Sequence, residues 1–588
     1  MKEINQIFFL KPDEGRDKVM PLKEAILENV KPGMNLYITP EGGAAICEII
    51  RQFHSIRPRF VLTIIGTIEH AINLVHCGLA RKLITSNCSH PYPSPGVSKV
   101  VQDAFRQKKV EIESWSLYSH IQRLMAGALG VGFLPTRSVV GSSMAEENSE
   151  SFLEIADPFG GPEKIGLVKA LNPDVSIVHG WAADRYGNTI GVPISSQAAT
   201  DHKMWGAKAS KKGVVVTVES IVPTSFIRKY ASLVSLPGYL VNAVCHVPLG
   251  AHPQGMFSPV PGLFQSYAPD YKFVVEHRNA SRDATEFDAW MENWVFDCGD
   301  HSKYLEKLGQ KRIKALKNVS GESSEERDYQ KPLEGLAAGK VANNSEIMIL
   351  CAALRVRDIV VKNGYKIVLG GIGAGMLSSW IAYYLLKENG YDLDLVVGTG
   401  AFGFAPRPGD PFYGTYNNLP SCKALFDTSD IYGYVIGREK SASLSILGAA
   451  QIDKYGNINS TMIKDKFLMG SGGANDAVNA SEVLIVAKQS KSRFVEKVPY
   501  VTCPGKKIKT IVSDMGIFQK VGEKEEFKLT ACLPDPTGMG LDERIRKIRE
   551  NCGWNLKVAD SVGECPMPDY NVLSLLRTFD PEHIVIDP

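Results

Sequence analysis

Ala183-Asp184-Arg185-Tyr186-Gly187-Asn188 returns in the second half of the chain as Ile452-Asp453-Lys454-Tyr455-Gly456-Asn457, the same Asp-basic-Tyr-Gly-Asn string. Each copy follows an apolar stretch, Ser176–Trp181 in the first case and Leu444–Ala450 in the second. A lone Asp-x-x-Gly-Asn turn is common, because Asp and Asn side chains bond their own backbone and glycine tolerates positive φ. The same turn at corresponding places of two halves points to a pseudo-duplication. The expected fold is α/β, two tandem open α/β domains.

The flanking sequence agrees with this class. Asn35–Ile38, Ala44–Phe53, Phe60–Ile65 and Ile68–Cys77 alternate short apolar runs with helical stretches, the signature of βαβ units and a mostly parallel sheet. From Lys303 to Asn318 the pattern becomes a charged helix with Leu305, Leu308, Ile313 and Leu316 on one face. Residues 319–340 carry few large apolar side chains and many Ser, Gly and charged ones, the composition of an exposed linker. The expected division is 1–318, a linker over 319–340, and 341–588. A helix restarts at Ser345, read as its N-cap, with Glu346 in the first turn and a stop at Gly364.

Ile367–Leu386 is free of charge and long enough to span a bilayer. Its β-branched start and its four glycines read better as strand, glycine turn and a buried helix opening near Leu377, so no membrane span is expected. Across 588 residues, 66 Lys+Arg against 64 Asp+Glu leave a formal charge of +2, which gives no global reason to bind nucleic acid or an anionic membrane. Eleven cysteines show no CxxC and no zinc-ligand spacing, so reduced thiols, no metal and a cytoplasmic location are expected.

In LPTRSVVGSSM (Leu134–Met144), HGWAADRYGNTIG (His179–Gly191), VVVTVESIVP (Val214–Pro223) and VPLGAHPQGMF (Val247–Phe257), the first half resembles the alpha subunit of family I coenzyme A transferases of the glutaconate type. The second half resembles the beta subunit in VLGGIGAGM (Val368–Met376), PRPGDP (Pro406–Pro411), GAAQIDKYGNINST (Gly448–Thr461) and GSGGANDAVNAS (Gly470–Ser481). The resemblance implies an alpha-like and a beta-like domain fused in one chain and facing each other across a cleft that takes acyl-CoA. It also implies a carboxylic acid acceptor, coenzyme A as a substrate moiety with no further cofactor, and a homo-oligomer. In that chemistry a glutamate of the beta-type half attacks the thioester, and CoA passes between acids by ping-pong turnover.

Candidate site residues follow from both kinds of reading. Gly371 and Gly373 lie in a strand-to-helix turn, where backbone N–H groups can stabilise an oxyanion or simply close a tight turn. Gly472, Gly473 and Asn475 belong to a second glycine-rich loop, either along the CoA path or a plain turn. Arg137 can pair a substrate carboxylate or a CoA phosphate, or an acidic neighbour. Glu113 is a candidate carboxylate or a surface one, and His252 a proton shuttle or a turn histidine. Cys245, beside His246, is read as a buried, inert thiol.

One position departs from the family pattern. The nucleophilic glutamate stands after the second strand of the beta-like half, and the matching string Leu395-Val396-Val397-Gly398-Thr399-Gly400 places Gly398 there. Glycine carries no carboxylate to acylate. Three readings stay open: a transferase in which Glu113 or Glu41 takes the role, an acyl-CoA carbon–carbon hydrolase or decarboxylase in the same cleft, and a non-catalytic CoA-thioester sensor.

Overall fold

The computed structural model describes residues 15–191, 194–195, 198–199, 202–260, 262–319, 341–412, 418–439, 441–522 and 525–586. In the first half a nine-stranded sheet comprises β1 (Asn35–Ile38), β2 (Phe60–Thr63), β3 (Ala80–Thr85), β4 (Glu111–Ser114), β5 (Val175–Ala183), β6 (Thr189–Gly191), β7 (Val214–Ile221), β8 (Val234–Leu236) and β9 (Val241–His246). Its parallel members lie in the order β4-β3-β2-β1-β5-β7-β9, while antiparallel β6 and β8 extend the C-terminal end of β5. Parallel strands covered on both faces need continuous apolar runs, and every residue of β5 is buried. Alternate residues of β1 serve opposite faces: Leu36 and Ile38 join one apolar cluster and Tyr37 the other.

The second half repeats the plan in a ten-stranded sheet. It comprises β10 (Ile367–Gly370), β11 (Asp394–Val396), β12 (Ala401–Phe402), β13 (Ala424–Leu425), β14 (Ser443–Leu447), β15 (Glu482–Val486), β16 (Ile508–Val512), β17 (Gly516–Gln519), β18 (Lys528–Cys532) and β19 (Lys557–Glu564). The order is β13-β12-β11-β10-β14-β15-β16-β17-β18-β19, with a parallel centre from β11 to β16. Each sheet therefore has a topological switch point, between β1 and β5 and between β10 and β14, where the chain leaves on opposite sides. The two are bridged alike, by Thr39 N–H to Ile177 O at 3.2 Å and by Gly371 N–H to Ile446 O at 2.7 Å.

The repeated turn matches atom for atom. Asp184 Oδ1 accepts from the N–H groups of Tyr186 (3.0 Å) and Asn188 (2.9 Å), and Asp453 Oδ1 from those of Tyr455 (3.0 Å) and Asn457 (3.0 Å). Asn188 and Asn457 each donate Nδ2–H to the other oxygen of their aspartate, and each accepts at Oδ1 from a glycine N–H, Gly238 or Gly505, at 2.9 Å. Gly187 and Gly456 hold φ of +92° and +90°, a region that favours glycine. The turn is thus a shared device of both halves, as a duplication requires.

Three local expectations are corrected. The charged helix is two helices, His301–Leu308 and Gln310–Val319, broken at Gly309, whose φ of +84° and ψ of +142° are not helical. Leu308 and Ile313 still enter a common cluster with Leu305 and Leu316 at its edge. The helix restarting the second half runs Asn344–Asn363 with Asn343, not Ser345, as N-cap; Glu346 closes the capping box and Gly364 ends the helix at φ +68°. Glu346 is also bidentately paired to Arg577 at 2.7 and 3.0 Å, both side chains buried. The uncharged run divides as read, into β10 and the helix Ala374–Glu388 rather than one opening near Leu377. Among the described residues no helix is long and apolar enough to cross a membrane.

The linker lies at the edge of and largely outside the described residues, and the boundary at 319–340 stands as a proposal. Mild proteolysis is expected to nick it first and leave two fragments that co-elute on sizing; first cleavage elsewhere would count against it. Asp453→Ala, which strands part-buried donors of the turn, is expected to cost roughly 1–3 kcal/mol in denaturant unfolding.

Candidate functional site

In open α/β sheets ligands bind beyond the carboxyl ends of the parallel strands. Here the loops at those ends of the two sheets meet along a seam. The loop Gly470–Asp476 crosses it: Gly472 N–H donates to Ser86 O (2.9 Å) and Leu117 N–H to Gly472 O (3.0 Å). Asn475 Oδ1 accepts from Val139 N–H at 2.6 Å while its Nδ2–H donates to Thr502 O at 2.8 Å. Asp476 accepts from Ser138 Oγ–H at 2.6 Å and Tyr118 N–H at 3.0 Å. Asn475 and Asp476 are thereby buried as a clamp between the halves. Burial raises the Asp476 carboxyl to about 6, even though the hydroxyls of Ser116 and Ser138 and the N–H groups of Tyr118 and Leu117 favour its ionised form.

Beside this clamp, Gly398 and Gly473 face one side chain. A Cβ built on either glycine would overlap the Tyr432 hydroxyl and come within 2.5 Å of its Cζ. The Tyr432 phenol is thus wedged between the main chain following β11 and the main chain of the Gly470–Asp476 loop. Tyr432 sits on a single π-helical turn, Ile431–Val435, is 6% exposed, and shares an apolar cluster with Leu369, Val396 and Leu447 from the ends of β10, β11 and β14. Tyr118 brings its own hydroxyl to 3.1 Å from where a Cβ on Gly433 would stand, so a second phenol approaches from the other half.

The remaining sequence candidates fall in three places. Gly371 has its N–H committed to Ile446 O, which removes that donor from an oxyanion site. Gly373, at φ +93°, opens the helix Ala374–Glu388 and would carry a Cβ into open space, so its surroundings leave room for a ligand. Glu41, in the turn after β1, is buried; together with Asp427 of the other half it adds to the burial that raises the Tyr37 phenol.

Glu113, Arg137 and His252 are apart from one another. Glu113 accepts from Arg123 (2.5 Å), Lys82 (2.8 Å) and Trp115 (2.8 Å). Burial opposes its ionisation, but Arg123 and Lys82 prevail and hold the carboxyl down to about 2. Arg137 is exposed and reaches across the seam to Gly437 O at 3.4 Å. His252 is enclosed, bonded to Tyr304 at 2.5 Å and Asp270 at 3.2 Å, beside a void of about 10 Å³ that admits about one water. Burial lowers its imidazole. The Cys245 thiol is buried and pushed up to about 12. Among the described residues no group of three or more His, Cys, Asp or Glu could hold a metal.

The coenzyme A transferase family model matches residues 19–246 and 355–537, most of the chain and every strand of the two large sheets except β19. The chain belongs to the coenzyme A transferase family. It is an enzyme of that family. It is 29% identical over 334 residues to the A subunit of glutaconate CoA-transferase from Acidaminococcus fermentans, covering 52% of this chain and 96% of the relative. It is 27% identical over 239 residues to the B subunit of the same enzyme, covering 37% and 86%. The solved acyl-CoA transferase YdiF of E. coli O157:H7 shares the fold, with a TM-score of 0.63 over 96% of this chain and 98% of that one at 14% identity.

Within a CoA transferase framework, Tyr432, Tyr118 and Asp476 are the residues that sequence reading passed over. Asp476 lies inside the string Gly470–Ser481 and could have been found from it, whereas nothing near Tyr432 in the sequence marks it as a neighbour of Gly398.

Asp476 sets a pH dependence of known sign. Its folded pKa, about 6, lies above the ordinary carboxylate value, so its contribution to stability is fully present below about pH 4 and is lost as pH rises through about 6. Asp476→Asn removes that loss. The unfolding free energy of the variant is expected to gain on that of the wild type by up to about 3 kcal/mol between pH 4 and pH 7. A constant difference across that range would show that Asp476 does not titrate there.

Proposed function

We propose that this CoA-transferase-family enzyme acts on an acyl-CoA thioester by breaking a carbon–carbon bond of the acyl group, as a decarboxylase or carbon–carbon hydrolase, without an enzyme-bound glutamyl-CoA. The observation that carries this reading is the pair Gly398 and Tyr432. The strand-end position matched to the family nucleophile has no carboxylate, and the space a side chain would need there is filled by a phenol. Nucleophilic catalysis requires the attacking atom at about contact distance from the thioester carbon. Glu113 is drawn into its cations Arg123 and Lys82, which does not favour it as a relocated nucleophile.

CoA transfer between carboxylic acids is the second reading, favoured by the family match and by the names of the curated relatives. In either case the partners are acyl-CoA and, for transfer, an acceptor acid. We further read the enzyme as cytoplasmic and homo-oligomeric.

A panel of acyl-CoAs, incubated with and without acceptor acids and followed by mass analysis of all products, separates the two. Cleavage products without an acceptor, together with an unmodified 395–404 peptide after borohydride treatment, are expected. CoA exchange between acids with an adduct trapped in that peptide would replace the proposal by ordinary ping-pong transfer. An adduct on Glu113 or Glu41 would restore the transferase with a moved nucleophile.

A further inference from the structure

Tyr432 stands beside Gly398, the position matched to the family nucleophile, and its placement is specified by three parts of the second half. The main chain at Gly398 bounds it on one side and that at Gly473 on another, and neither residue can carry even a methyl group without displacing the hydroxyl. The ring belongs to the apolar cluster that holds Leu369, Val396 and Leu447, residues toward the carboxyl ends of β10, β11 and β14. Those ends border the crevice in which open α/β sheets take their ligands. Tyr432 is carried on a π-helical turn, a geometry frequent at functional sites.

A phenol cannot replace a carboxylate as carrier of CoA, but it can do something a carboxylate cannot at neutral pH: donate a hydrogen bond from an uncharged O–H. The other donor expected near the crevice floor, Gly371 N–H, is already spent on Ile446 O. We infer that Tyr432 is a catalytic residue whose hydroxyl donates to the thioester carbonyl oxygen of the bound acyl-CoA and stabilises the thioester enolate formed when the acyl group is cleaved. This rests on the reaction proposed above and names the group that serves it.

The step balances without a further reactant besides water. The bond from the α carbon of the thioester to its leaving carbon breaks, and its electron pair enters the C–C bond to the carbonyl, so that negative charge collects on the carbonyl oxygen. Tyr432 O–H holds that oxygen. A carboxylate leaving group departs as CO2; a ketone to which water has added departs as a carboxylic acid, releasing one hydroxyl proton of the hydrate to water. The α carbon then takes a proton from water and the carbonyl re-forms. Donors fixed in advance at a developing oxyanion act strongly in a site that excludes water.

Two readouts test this. With any acyl-CoA of the panel that is consumed, Tyr432→Phe, which keeps the ring and removes only the hydroxyl, is expected to lower kcat by about 10²–10³-fold with KM changed only a few-fold. Isotope-edited infrared spectra of acetyl-CoA carrying 13C at the thioester carbonyl need no turnover. Bound to the wild type, the carbonyl band is expected at lower frequency than in water, and the shift is lost in Tyr432→Phe and in Gly398→Ala, whose added methyl displaces the hydroxyl. An unshifted band in the wild type, or a shift retained in Tyr432→Phe, overturns the assignment. CoA exchange with a trapped glutamyl adduct would instead sink the reaction proposed above, and the infrared shift would still report on Tyr432 by itself.

Discussion

A buried carboxyl from one half receives donors from the other, and the arrangement of the crevice depends on it. Asp476 takes Ser138 Oγ–H and Tyr118 N–H, and its neighbour Asn475 takes Val139 N–H, so the segment after β4 and the segment around Ser138 are both hung on one loop of the second sheet. Leaving such a group without its donors costs about as much as the marginal stability of a small domain can absorb from one site. The loop therefore cannot drift relative to either sheet. Because Gly473 belongs to the same loop and bounds Tyr432, the clamp also fixes one wall around the phenol.

The two halves solve the same construction problem with the same parts. Each sheet turns back at a switch point closed by one backbone hydrogen bond, and each ends a buried strand region with an Asp-x-x-Gly-Asn turn. They differ in the turn that leaves the first strand. In the first half it holds a buried glutamate, Glu41; in the second it holds glycine, with Gly373 beside open space. The duplication thus supplied two equivalent turns, of which the second carries a glycine whose surroundings are open.

Much of this was legible from residue patterns. The β1 span, the helix after it and the repeated turn follow from apolar alternation and from side chains that bond their own backbone. The family strings located both sheets. Other features were illegible for physical reasons. The break at Gly309 looked like tolerated glycine inside a charged helix, and only its backbone angles separate the two cases. Asn343 and Ser345 are both good N-caps, and the reciprocal bond from Glu346 chose between them. The partnership of Tyr432 with Gly398 and Gly473 joins three distant segments through a shape constraint, which leaves no periodicity or spacing to detect. Glu113 and His252 were visible as polar residues near motifs, but the cations and hydrogen bonds that bind them come from elsewhere in the fold.

The Glu346–Arg577 pair has a bearing on how the protein is made. Glu346 caps the first helix of the second half, and its partner is synthesised 231 residues later. Until that arginine leaves the ribosome, burying Glu346 means burying a charge held only by the Asn343 N–H and without its cation, a cost of several kcal/mol. The helix Asn344–Asn363 can form early, but its packing beneath the sheet waits for the helix Tyr570–Phe579. The second half is therefore expected to acquire its native core late and nearly all at once during biosynthesis, with the first half already folded beside it.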